Sequence, residues 1–390
     1  MKKFPIILAA VATLLAGAAC SKVVPAAGNL ADEAVSFEVA NFAHRTKANV
    51  AFDTGKTFTT YSWFYAQEEE EIQSFMNPAT VGFRDGVWKA VNRPYYWPKT
   101  GHINFISFAG DRDGLRPDVT PPDADGVIVV SYGETQDQQV TEPVYVTIED
   151  TDDPLLAEAA YHYSWKNGAE RDDVSLNEND PGFTGVPTLF HHLVSKVTIL
   201  IQVDASEASE GHSWKLKVND ASFDCVNEGM LRVEFEEPQP KDTPACVWPF
   251  ADDGDIDPKW IPRNDEEGYA VMVTKEADSQ EKEYVAGTRP EPIVLWDAVS
   301  VLPQQLYSGQ SLALNLTLTN TYGESSTTET ADIPVAFYAP SGGPNAFSNT
   351  LDVWKMGHHY VYTMTIIPNA ALRFDPATVK WEVEDIPYPI

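Results

Sequence analysis

Basic residues are scarce in this sequence: 27 lysines and arginines stand against 58 aspartates and glutamates, a formal charge of −31. Neutralising phosphates needs clustered Lys and Arg, so no nucleic acid is expected as a partner. Attachment to anionic lipid heads by charge is excluded for the same reason. Cysteine is rare too, with only Cys20, Cys225 and Cys246. None sits in a pattern with His and Asn that marks a nucleophile, and three cysteines are too few for a disulfide-dense scaffold. Long apolar runs are missing beyond the first twenty residues, so no later segment reaches the roughly 20 residues of a spanning helix.

Motifs for chemistry are also wanting. The chain has no G-x-S-x-G, P-loop, dinucleotide fingerprint or H-E-x-x-H, and no enzyme activity or cofactor is expected. His191-His192 and His358-His359 are adjacent pairs whose side chains point to opposite faces of a strand, a poor arrangement for one metal. Asp253, Asp255 and Asp257 have the spacing of a calcium loop, but Pro258 stands where the turn glycine belongs and Asn264 where the bidentate Glu belongs. A solvated acidic loop is the expectation there, and no metal.

The first twenty residues form an export signal: Lys2 and Lys3, an apolar run over residues 6–15, then Ala16-Gly17-Ala18-Ala19 before Cys20. Cys20 is placed as the acceptor of a lipoprotein signal, with Gly17 where a leucine is usual; the alternative is plain cleavage after Ala18 or Ala19. Cys225 and Cys246 fit either a bridge in an oxidising compartment or two buried thiols.

The chain then has abundant period-two alternation. Val197, Ile199, Ile201 and Val203 alternate with Thr198, Leu200 and Gln202, and Leu312, Leu314, Leu316 and Leu318 with Ala313, Asn315, Thr317 and Thr319. Residues 214–218, 231–235 and 379–383 repeat the pattern, as strands with one buried face do. "INFISF" (103–108) and "GVIVVSY" (126–132) are apolar on both faces, as central strands are. The best helical signal is "DDPLLAEAAYHY" (152–163), with Asp153 as N-cap and Pro154 at the first helical position. Many short strands and one helix predict an all-β chain of two β-sandwiches, divided near 185 after the polar stretch 168–187. Tyr95, Tyr96 and Trp97 lie between Pro94 and Pro98 ahead of a buried strand, and read as the edge of a β-core or as an exposed aromatic contact.

Several segments in order carry a resemblance: "VSFEVANFAHRTKA" (35–48), "VWKAVNRPYYWPKTGHINFISFAG" (87–110), "DPLLAEAAYHY" (153–163), "LFHHLVSKVTILIQV" (189–203) and "WKMGHHYVYTMTI" with "LRFDPATVKWEVEDI" (354–386). Together they resemble the fimbrillin family of type V pili and its surface lipoproteins. The resemblance implies tandem transthyretin-like β-sandwich domains at 47–185 and 186–390, a signal at 1–20 and a propeptide at 21–46. It implies lipidation at Cys20, location at the outer membrane and cell surface, and cleavage by an arginine-specific protease between Arg45 and Thr46. Val35, Phe37 and Val39 then belong to a removable strand whose place another fimbrial subunit fills by β-strand addition. "VKWEVEDI" is either the donated strand or the last strand of its own domain. A glycan-binding surface lipoprotein that contacts a host or bacterial surface through Tyr95, Tyr96 and Trp97 is the other function the sequence admits.

Overall fold

A computed structural model describes residues 34–376, except 44–47, 66–71, 99–101, 111, 113, 125, 134–142, 158, 164–184, 207, 236–244, 248–259, 308–309, 342–345 and 369–373. Among the described residues there is no helix. The chain begins with β1 (Ser36–Ala43), β2 (Ala48–Ala51), β3 (Thr57–Tyr65), β4 (Ile72–Arg84), β5 (Val87–Ala90) and β6 (His102–Ala109). It continues with β7 (Asp118–Val119), β8 (Ile128–Tyr132), β9 (Val146–Thr147), β10 (Leu155–Ala157), β11 (Ala160–Tyr163) and β12 (Val186–His192). Next come β13 (Ser195–Val203), β14 (His212–Cys225), β15 (Glu228–Phe235), β16 (Ala245–Val247) and β17 (Ile261–Pro262). The remainder comprises β18 (Val273–Ala277), β19 (Gln280–Val285), β20 (Ile293–Val301), β21 (Gln304–Gln305), β22 (Ser311–Tyr322) and β23 (Ser325–Tyr338). β24 (Ala346–Ser348), β25 (Val353–Trp354), β26 (His359–Ile366) and β27 (Phe374–Pro376) complete it.

The first sheet closes on itself. β12, β1, β5, β4, β3 and β6 are neighbours in that order, and β10 pairs both β6 and β12 to complete a ring. β6 shows why "INFISF" is apolar on both faces. Its Ile103 and Phe105 point into the ring core, while Ile106 and Phe108 join a second core outside it. The two buried polar residues of β6 are hydrogen-bonded: Asn104 accepts from the Trp63 N–H at 3.1 Å, and the Ser107 hydroxyl donates to Thr60 Oγ1 at 3.0 Å.

The sandwich of the second half has β20-β13-β26-β27 on one side and β18-β14-β22-β23-β24 on the other, with β19 also on β14. Trp214, Leu216 and Val218 on β14 are buried, as the alternation requires. A register shift against β22 between Val218 and Asp220 then resets the phase, so that Ala221, Phe223 and Cys225 face the same core.

One expectation changes. Residues 152–163 form β10 and β11 rather than a helix. Leu155, Leu156, Ala157 and Ala160 are all buried, because this segment is the bridge that closes the ring; ladder pairing and burial override a local helical signal. The division at 185 falls between strands that share sheets. β12 lies beyond it yet pairs β1 and β10, and β15 pairs β8 along residues 231–235. The core between the ring and the β8–β15 sheet takes Ile106, Phe108 and Val130 from before 185, and Val226, Leu302 and Met356 from after it.

The acidic loop 149–153 fastens this junction. The Arg112 Nε donates to Asp152 at 2.8 and 3.0 Å, and the Ser300 N–H donates to the Asp150 carbonyl at 2.8 Å. Asp153 is held 2.7 Å from His192 Nδ1 and 3.1 Å from Lys196 Nζ, and Lys275 pairs with Asp150. Burial alone would raise the Asp153 carboxyl; the attraction and hydrogen bonds it receives from His192 and Lys196 outweigh burial and hold the group below the ordinary carboxylate range. A carboxyl more acidic folded than unfolded stabilises fully at neutral pH, and this stabilisation is lost as pH falls through the folded value. Asp153→Asn is expected to cost about 3 kcal/mol at pH 7. Urea unfolding across a pH series should show the gap to wild type narrowing below about pH 4.

Candidate functional site

The seat of β1 is the part of the fold with a function to offer. "VSFEV" (35–39) alternates, and the structure uses the alternation: Val35 and Phe37 are buried, Val39 packs against the same core, and Glu38 is exposed. β1 runs parallel to β12 from Phe37–Val186 to Asn41–Phe190. On its other edge it meets β5 antiparallel at Ser36–Lys89 and Phe37–Trp88, and then β2 from Ala40–Ala51 to Ala43–Ala48. Phe37 is the anchor. Its ring makes edge contacts with Phe58 at 5.4 Å and Phe105 at 5.8 Å between centroids.

Two further features hold β1, and sequence reasoning did not find either. The Val35 N–H donates to the Tyr95 carbonyl at 2.7 Å, and Ala34 bridges to Tyr96. The aromatic segment 95–97 is therefore a backbone clamp on the start of β1. A carbonyl acceptor leaves no mark in the side-chain pattern. Gly185 is the second feature. A Cβ placed there would lie 2.9 Å from the Phe37 carbonyl carbon, 3.0 Å from the Ser36 oxygen and 3.1 Å from the Glu38 nitrogen. Only a residue without Cβ lets the backbone before β12 approach β1 so closely. In the sequence it was one of 23 glycines.

Tyr95, Tyr96 and Trp97 do not share a face. Trp97 is buried with its edge towards Phe105 at 6.0 Å. Tyr95 is half-buried against Phe75 at 5.5 Å, with the Arg93 guanidinium 4.6 Å above its ring. Tyr96 alone is exposed, at 53%.

Between the departure of β5 after Phe37 and the arrival of β2 at Ala40, the edge of β1 borders an open cleft of about 320 Å³. Phe37, Glu38, Val39, Gly86, Val87 and Trp88 line it. Val87 is 45% exposed, and Phe83, 38% exposed, lies beside Trp88 at 5.4 Å.

The remaining candidates fall elsewhere. Arg45 and Thr46 lie outside the described residues, in the connection between β1 and β2; Cys20, residues 253–257 and residues 377–390 lie outside them as well. Cys225 is a free thiol buried in the core of the second-half sandwich, and burial pushes it up to about 12. The backbone of Cys246 is opposite Tyr161 in β16. The paired histidines serve separate structural partners: His192 contacts Asp153, His358 the Met356 carbonyl at 2.8 Å, and His359 the Thr198 hydroxyl at 2.9 Å. Burial lowers both His358 and His359. Among the described residues no group of His, Cys, Asp or Glu is arranged to hold a metal ion.

Gly185→Val is expected to weaken the seat without touching the second sandwich. Overpacking of this kind costs about 1–3 kcal/mol. Hydrogen exchange should show lost protection confined to β1 and its neighbours β5 and β12.

No protein-family model matches the sequence, and no curated protein matches it. Solved structures are similar to it at low identity. A fimbrial protein from Bacteroides vulgatus is 12% identical with a TM-score of 0.46, over 86% of this chain and 96% of that one. A candidate cell adhesion protein from Bacteroides uniformis is 15% identical with a TM-score of 0.31, over 86% and 94%. A third, from Parabacteroides distasonis, is 9% identical with a TM-score of 0.35, over 89% and 92%.

Proposed function

We propose that this protein is a structural or adhesive subunit of a cell-surface fimbrium that assembles by exchanging β1 for a strand of another copy. In this reading the chain is exported, anchored to the outer membrane through Cys20, and built of tandem transthyretin-like sandwiches. Cleavage between Arg45 and Thr46 separates β1 from β2, which stays with the body.

The observation that carries the reading is the position of β1. It is the first described strand in sequence, yet it is internal to a closed ring, with β12 on one side and β5 on the other. Its loss opens a slot with two ladder edges and an apolar floor, which is the geometry strand addition needs. Refilling the slot buries Val35- and Phe37-type side chains, about 1.5–3 kcal/mol each before the cost of ordering.

A matching sequence lies in the same chain. "VKWEV" (379–383) repeats "VSFEV" (35–39) at both valines and the glutamate, with Trp381 for Phe37. The tail suits its own sheet poorly. β27 pairs β26 at Ile366–Phe374 and Met364–Pro376. Continued without a break, that register would set Lys380 opposite buried Tyr360 and Val379 opposite the half-buried Val361. Charged residues would then face the core and apolar ones water, since opposite residues share a face. In the β1 seat the same alternation falls the right way.

Digestion of the full chain with an Arg-specific protease is expected to yield an N-terminus at Thr46. The processed protein should then capture a peptide of residues 377–390, and the intact protein should not. Trp381→Ala in the peptide should weaken capture at least tenfold, as loss of a buried aromatic does. An N-terminus upstream of Thr46, or equal binding by intact and processed protein, would count against exchange.

A further inference from the structure

We infer that the cleft beside Glu38 and Val39 is an entry site, where the 377–390 segment of a second copy docks while β1 is still seated. This rests on the strand-exchange reading and adds an order of events to it: the incoming strand binds first, and β1 leaves afterwards.

A nicked β1 is not a free β1. In the intact chain Val35 and Phe37 are buried, the Tyr95 carbonyl holds the Val35 N–H and β1 pairs β12, and a cut after Arg45 would sever none of these contacts. Escape without help breaks all of these together, which makes a release-first route slow. The structure offers a faster one. β5 is a short strand that leaves β1 after two paired residues, and β2 takes up the same edge only at Ala40. The intervening notch is the open cleft, walled by Trp88 and the half-exposed Val87. It adjoins the seat of Phe37, because Phe37 and its ladder partner Trp88 both border it. An arriving strand can place one apolar side chain there, begin pairing, and take over the seat residue by residue.

The occupant is set by the match between residues 379–383 and 35–39. A strand that ends in the register of β1 must approach along the edge of β1, and the notch is where that edge opens. Glu38 lies on the rim and is exposed. The arriving tail carries Lys380 against Glu382, Glu384 and Asp385, so Glu38 repels it. Glu38 belongs to β1 and departs with it. Any effect of Glu38 on the arriving strand therefore arises only while β1 is in place.

The test uses full-length protein nicked at Arg45, with release of the N-terminal fragment and uptake of labelled 377–390 peptide followed together. Release is expected to speed up with peptide concentration and to saturate. Val87→Glu should cut this acceleration about tenfold, measured against the variant's own rate without peptide, as a charge in an apolar contact does. Glu38→Arg should raise it about threefold at low salt, with the gain fading at high salt. Release at one rate whatever the peptide concentration, with uptake merely following, would overturn the entry site and leave strand exchange standing. No uptake at any stage would overturn both.

Discussion

The burial of one phenylalanine in a ring of strands governs the first half of this protein. Phe37 meets Phe58 and Phe105 inside the ring, and the strand that carries it fills the gap between β12 and β5. Without that strand the sheet has two exposed edges and an opened core. With it, the ring runs unbroken from β12 to β6, and β10 joins its two ends. The same contact is thus a stabilising element of the monomer and the element whose replacement would join two monomers. Under the proposed exchange, stability and assembly would compete for one pocket.

The second half has a core of its own. Its sandwich is packed around Phe223, Phe337, Trp354 and Tyr362, whose rings meet in edge-to-face pairs. The Trp354 indole N–H donates to the Tyr362 hydroxyl at 2.7 Å within that core. β15 and the loop 149–153 then tie it to the ring through shared sheets and ion pairs. Residues of both halves contribute to one apolar core.

Much of this was legible in the sequence where the signal is local. The period-two runs at 197–203, 214–218 and 312–318 are strands with the expected faces buried, and "INFISF" is a central strand. "GVIVVSY" is apolar on both faces, which implies a central strand, but in β8 Val129 and Ser131 are only half-buried. What could not be read depends on distant partners. The closure of the ring by Leu155 and Leu156 links segments that local propensity marks as helix. The pairing of β15 with β8 joins residues about a hundred positions apart, and nothing in either strand names the other. The clamp by the Tyr95 carbonyl and the close approach of Gly185 are backbone effects, which side-chain patterns do not encode. Of the seat itself, the alternation of Val35, Phe37 and Val39 was visible, and the cleft beside it was not.

The orientation of β1 between its neighbours has a mechanical corollary. A strand flanked along its length and drawn along its own axis loads its ladder in shear, so the bonds to β12 yield together or not at all. The same strand lifted sideways peels, one bond after another. Survival under tension is governed by the rate of that first rupture and not by the equilibrium free energy. A filament joined through this slot would resist stretching far better than lateral prying, whatever its affinity measured at rest.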